Sequence, residues 1–176
     1  MQSFGNCIDE AFPHEAGHIL VGRAVGLLAR GLDVEVVRFP DGKGISVGNF
    51  ATLAYSPPDE EIPKMDAKIK AAYMLFVAGG VAGNKFDGLK SQCQGDAADR
   101  KELARLTTKS LEEIADMAVG IIHKHRRHFR QLVSLIRQRF IDRIWTNRDI
   151  ETGRHNLLTQ EDLEAIFGDK PKHEVI

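Results

Sequence analysis

The sequence predicts a mainly α fold with a small β-sheet, an α+β arrangement. A first helix leads into a β-hairpin, and the chain closes in a C-terminal helical bundle. Three observations predict it. Apolar residues recur at three- and four-residue spacings along most of the chain. One valine-rich stretch alternates instead, next to a turn signal at Asp41-Gly42. Capping patterns open further helices after Ser110 and Thr159.

The first periodic segment runs from about Ile8 to Ala29, with Ile8, Phe12, Ile19, Leu20, Leu27 and Leu28 as its apolar positions. Pro13 fits only near its start or at a bend, and Gly31 suits the position after a helix. Val34 to Phe39 reads as a strand, Asp41-Gly42 with Gly44 as the turn, and Ile45 to Leu53 as the returning strand. Ser56-Pro57-Pro58-Asp59 is a loop. A second helix spans about Lys64 to Ala78. Gly79, Gly80 and Gly83 then either end that helix or let another helix pass very close. Phe86 to Gln94 reads as loop, and a third helix runs from Asp96 or Ala97 to about Thr108. Ser110 with Glu113 starts a fourth, which stops near His125 to His128. A fifth carries Phe129, Leu132, Leu135, Ile136 and Phe140. Thr146 to His155 is polar and reads as a surface loop, and Thr159 opens a short last helix that Gly168 ends.

With 176 residues the chain suits one domain: a core over 1–108, a helical part over 109–168 and a tail over 169–176. The 24 basic and 25 acidic residues leave a net charge of -1, which favours neither nucleic acid nor an anionic membrane as partner. Two cysteines, Cys7 and Cys93, make no disulfide framework and suit a reducing cytoplasm. No apolar run approaches the roughly 20 residues that span a bilayer, so membrane insertion is not expected.

The chemistry concentrates at His14-Glu15-Ala16-Gly17-His18. Two histidines four apart on a helix share one face, so both imidazoles can reach one metal ion. Glu15, beside the first of them, can take a proton from a metal-bound water and return it to a leaving amine. Such a short pattern also arises by chance on helix surfaces. Here Ala16 and Gly17 are small, and Ile19, Leu20 and Val21 imply a buried helix. Buried His and Glu groups need partners. A catalytic zinc needs a third protein ligand and one open position. Position 24 is Ala24, so no third ligand follows closely. Asp96, Asp99, Cys93 and Glu102 are the candidates.

These residues resemble the peptidase domain of the FtsH family, membrane-bound AAA-type zinc proteases. That family carries a Gly-Gly helix segment and then a Gly-x-x-x-Asp element whose Asp is the third zinc ligand. Gly79-Gly80-Val81-Ala82 is similar to the first, and Gly95-Asp96-Ala97-Ala98-Asp99 to the second. The resemblance implies a zincin-like zinc helix, with His14, His18 and Asp99 as metal ligands and Glu15 as the catalytic base. The interval from His18 to Asp99, 99 − 18 = 81 residues, is similar to the family's. The closing helices, including Leu158-Thr159-Gln160-Glu161-Asp162-Leu163, follow the family in order. Asp99 also falls near a helix start, where a carboxylate is favoured. Its bland role there is a first-turn acid, with Asp96 as the cap.

The resemblance has departures. Val81-Ala82-Gly83-Asn84 stands where the family has Arg-Ala-Ala-Glu, which bears on outer support of the site. The loop over 140–155 is longer than usual, and no Gly-x-x-x-x-Gly-Lys-Ser/Thr phosphate loop occurs. The implied partners are a peptide or unfolded-protein substrate, a separate ATP-driven unfoldase and further copies of the chain. The implied reaction is zinc-dependent peptide hydrolysis. The alternative is a metal-stabilised, non-proteolytic binding or adaptor module. His123, His125 and His128 could hold a second metal but read better as a solvated helix face. The basic run Lys124 to Arg130 is not expected to bind nucleic acid in a chain without overall positive charge. Phe140 and Trp145 read as packing or interface residues. A peptide could add to the strand Ile45 to Leu53 if that strand is an edge.

Overall fold

The computed structural model describes residues 5–27, 29–39, 41, 45–54, 56–89, 94–147 and 149–168. Its centre is α1, Gly5–Ala24. Every residue from Phe12 to Gly22 is buried, so this helix has no solvent face over three turns. Pro13 lies well inside it rather than at its start. A proline there leaves the carbonyl four residues back, on exposed Asp9, without its helical partner, where water can take the place of the missing donor. The helix ends earlier than the periodicity suggests. Gly26, at φ 89, turns the chain in the left-handed region, and Gly31 opens a strand instead of closing the helix.

The sheet is antiparallel, in the order β2-β1-β3, formed by β1 (Gly31–Arg38), β2 (Ile45–Leu53) and β3 (Gly153–Leu158). β1 buries Leu32, Val34 and Val36 on one face, the alternation its sequence carries. The hairpin of β1 and β2 is as expected, although Gly42 and Gly44 of its turn lie outside the described residues. Between Glu35 and Val36 the register skips Gly48, so β2 bulges there.

The expected loop over 146–155 is corrected at its end. Residues from Gly153 onward form β3, paired to β1. Its sequence is polar because four of its six residues stay at least partly exposed, and only Leu157 and Leu158 are buried. The Asn156 side chain donates to Asp33 Oδ1 at 3.0 Å and to the Leu158 carbonyl at 2.9 Å, filling the register shift beside it.

Around α1 pack α2 (Ala67–Val77), α3 (Gly79–Phe86), α4 (Gln94–Leu106), α5 (Leu111–Lys124), α6 (Arg126–Phe140) and α7 (Gln160–Phe167). A single 3₁₀ turn, Ile62–Lys64, precedes α2. The Asp66 side chain caps α2 by accepting from the Lys68 and Ile69 amides. Ser110 with Glu113 and Thr159 with Asp162 form reciprocal capping boxes on α5 and α7, each worth about 1 kcal/mol. α6 buries Phe129, Leu132, Ile136 and Phe140 at helical spacing. It runs on into a π-helical turn, Ile141–Trp145, that buries Ile144. Of the two residues read as packing or interface residues, Phe140 is in the core, whereas Trp145 is 66% exposed and takes no part in it. Among the described residues no helix is long and apolar enough to cross a membrane.

α1 and α3 cross with their backbones in contact. A Cβ on Gly17 would sit 2.0 Å from the Gly79 carbonyl oxygen, and one on Gly83 would sit 2.1 Å from that of Pro13. Of the two roles open to the glycine run, close passage is the one it serves. The chain only breaks stride at Ala78, between α2 and α3.

Candidate metal centre

His14 and His18 face the same direction because they are one turn apart on α1, and the crossing with α3 seals them from solvent at 5% and 7% exposure. Their Nε2 atoms lie 3.1 Å apart. Asp99, on α4, brings Oδ2 to 3.4 Å from each of them. Among the described residues no other trio of His, Cys, Asp or Glu groups converges this way.

Two accounts of this triangle compete. In an ion pair, an N–H of a charged imidazole would approach a carboxylate oxygen to about 2.7–2.9 Å. Both contacts here are longer, and the buried Oδ2 makes no hydrogen bond. A four-coordinate zinc with bonds of about 2.0–2.2 Å sets its ligand atoms about 3.3–3.5 Å apart along the tetrahedron edges. The two 3.4 Å edges match that figure, and the 3.1 Å edge between the imidazole nitrogens is shorter, within hydrogen-bond reach. The donor set, two imidazoles and one carboxylate, also suits zinc. The three residues are thus compatible with the ion.

The surroundings prepare the ligands. The Phe76 carbonyl accepts from His18 Nδ1 at 2.8 Å, which fixes the ring and leaves Nε2 aimed at the centre. Gly80 of α3 floors the site. A Cβ there would lie 2.4 Å from His14 Cε1, 2.5 Å from His14 Nε2 and 2.6 Å from His18 Nε2. Burial disfavours a charged His18 imidazole, but the Asp99 and Glu15 carboxylates and the Phe76 carbonyl outweigh it. Together they push its pKa from 6.5 up to about 9. The centre thus attracts positive charge, whether a proton or a metal ion supplies it.

Glu15 is also buried, and its Oε2 accepts a 2.7 Å hydrogen bond from Thr52 Oγ1 on β2. Asn84, the departure from the resembled pattern, is wholly buried one turn after Gly80.

Of the candidates for third ligand, Asp99 is placed at the histidines. Glu102 instead accepts from Tyr73 Oη at 2.8 Å and pairs with Arg105, which also holds Asp59 and the Pro57 carbonyl. Burial pushes the Tyr73 hydroxyl above its ordinary range, and the Glu102 carboxylate adds to that against Ser56. Cys93 lies outside the described residues. Asp96 falls inside α4 rather than at its cap. His125 and His128 stack at 6.3 Å, and His128 and His123 rest on Phe167 and Phe86. That arrangement agrees with a helix face.

The sequence did not single out Thr52, the Phe76 carbonyl or the Arg105 network. Their partners are 37 or more residues away, except within α4. The only advance signal was Gly80, as part of the glycine run. A cleft of about 620 Å³ lies between the loop Ser56 to Asp59 and the Ala98, Lys101, Glu102 and Arg105 side of α4, and none of His14, Glu15, His18 and Asp99 lines it. It shares α4 with Asp99. No protein-family model matches the chain, and no curated protein matches it significantly.

Proposed function

We propose that the chain is a zinc-dependent metallopeptidase similar to the FtsH-family peptidase domain. His14, His18 and Asp99 hold the ion, and Glu15 is the general base. The observation that carries this reading is the triangle of buried ligand atoms at tetrahedron-edge spacing, with an acid on the adjoining residue. Bound zinc would supply a Lewis acid for the scissile carbonyl and lower the pKa of water to near neutrality. The rest is done by the chain. Glu15 takes a proton from the attacking water and passes it to the departing amine. The α1–α3 crossing and, for His18, the Phe76 carbonyl hold the two histidines in position. β2 is an edge strand next to α1, so an extended peptide can pair along it with little sequence selectivity.

The substrates are peptides or unfolded proteins, reached in the cytoplasm. A separate ATP-driven unfoldase would deliver folded ones, and self-assembly is part of the same proposal. The adaptor alternative has less support. A merely structural metal site has no use for a buried carboxylate beside its first ligand.

Metal analysis of purified protein, with cleavage of unfolded casein and a quenched peptide with and without chelator, tests the reading. Stoichiometric zinc and chelator-sensitive cleavage are expected. Glu15→Gln should keep the zinc and lose turnover. Zinc-loaded protein that cleaves neither substrate points to the adaptor, and full activity in Glu15→Gln rejects the mechanism.

A further inference from the structure

We infer that Thr52 is a positioning residue for Glu15, through which the edge strand sets the proton-transfer geometry of the site. The inference rests on the hydrolase reading above.

Glu15 is 7% exposed, and its Oε2 is held by a side chain from a different element. A hydroxyl that donates to a carboxylate at 2.7 Å makes a strong, charge-assisted bond. One carboxylate oxygen is thereby tied to β2. The other remains to take a proton.

The alignment that produces this bond is built into the two elements. α1 turns Phe12 and Glu15, one turn apart, toward β2. β2 answers with Phe50 and Thr52, alternate residues and so on one face of the strand. Phe12 and Phe50 meet edge to face at 6.2 Å, and Phe140 of α6 packs against both rings, 5.6 Å from Phe12 and 5.8 Å from Phe50. This aromatic trio fixes the register of β2 against α1. Thr52 then falls opposite Glu15.

The other side of β2 carries no strand among the described residues. A peptide that pairs there would order the same backbone that presents Thr52. Longer substrates would therefore gain in turnover as well as in binding. The bulge at Gly48 lies upstream, and from Asn49 to Leu53 each residue of β2 pairs with one of β1 in turn.

The test compares wild type, Thr52→Val and Thr52→Ser, all zinc-loaded, on a quenched peptide of about four residues and on one long enough to run along β2. In Thr52→Val, kcat is expected to fall by about 10–100-fold, the scale of a misplaced catalytic group. KM should stay within about twofold, since the missing bond contributes to the transition state and not to uniform binding. The advantage in kcat of the long peptide over the short one should vanish, and Thr52→Ser should recover most of the lost rate. Two readouts do not depend on turnover. The carboxylate ¹³C signal of Glu15 in zinc-free protein should move in Thr52→Val and return in Thr52→Ser. In Glu15→Gln, the long peptide should slow amide exchange along β2.

Unchanged kcat in Thr52→Val, or an equal loss in Val and Ser, overturns the inference. So does an unmoved Glu15 carboxylate signal. Loss of zinc or of thermal stability in Thr52→Val would show a structural role only and would also overturn it. Failure of the hydrolase reading is separate: it shows as no chelator-sensitive cleavage in wild type, and the carboxylate signal still decides the role of Thr52.

Discussion

Replacing Gly80 by alanine should empty the centre while leaving the fold standing. The new methyl carbon would stand 2.4–2.6 Å from ring atoms of both histidines, where ordinary contact begins at 3.4 Å. The shortfall is about 1 Å, several times the roughly 0.2 Å tolerance of a metal–ligand bond. The rings cannot absorb it by swinging freely, because His18 is tied to the Phe76 carbonyl and both sit in a sealed crossing. Zinc affinity should therefore drop by at least the roughly 10–100-fold that an outer-shell partner is worth, about 1.4–2.7 kcal/mol. The fold has less to lose. Crowding costs about 1–3 kcal/mol, and alanine returns up to about 1 kcal/mol in helix propensity. The assay is a zinc titration against a competing chelator, with urea unfolding of the stripped protein beside it. Wild-type zinc affinity in Gly80→Ala would refute the claim that α3 floors the site. Loss of affinity together with a collapse of the fold would refute the separation of the two effects.

Three further outcomes follow from the same packing. Gly83→Ala places its Cβ 2.1 Å from the Pro13 carbonyl oxygen, so α1 and α3 must part and urea unfolding should show a loss of about 1–3 kcal/mol. Gly120→Ala, on α5 with open space around it, should instead gain about 0.5–1 kcal/mol at an unchanged m value. Asp99→Ala removes one of the three proposed ligands, so zinc affinity should fall by more than the roughly 10–100-fold of an outer-shell change, and direct metal analysis reads it.

What the sequence made legible follows the range of the interactions involved. The strand Ile45–Leu53 and the capping boxes at Ser110 and Thr159 are local signals, and they stand as expected. β3 was hidden because its residues look like loop until β1 supplies their partners. The end of α1 was misplaced because apolar Leu27 and Ala29 continue the periodicity past Gly26, where backbone conformation, not hydrophobicity, stops the helix. At the centre, the His14 and His18 pair is helix geometry and could be read directly. Asp99 could not be chosen over Glu102 by spacing, since both lie on α4. The choice depends on which side of α4 meets Tyr73 and Arg105, and Glu102 is on that side. The Thr52 bond to Glu15 depends on the Phe12–Phe50–Phe140 contact, which no local pattern encodes.

The charge of the emptied site offers a last check on its chemistry. In metal-free protein the Asp99 and Glu15 carboxylates outweigh the cost of burial and push the His18 imidazole from 6.5 up to about 9. A group raised in the folded state stabilises fully below its unfolded value, and the contribution is lost as pH climbs through its folded value. Stripped protein should thus lose stability between about pH 6.5 and 9, read by urea midpoints. Zinc requires a neutral imidazole, so between those limits it must expel the proton that the carboxylates hold there. Calorimetric zinc titration at about pH 7.5, in two buffers of different ionisation enthalpy, should register release of close to one proton. Zinc-loaded protein should hold its stability across the same window, because the ion has taken over the charge. Binding with no proton released at that pH would mean that His18 is already neutral when the site is empty. The three side chains would then not form the electronegative trap on which their fitness for zinc depends.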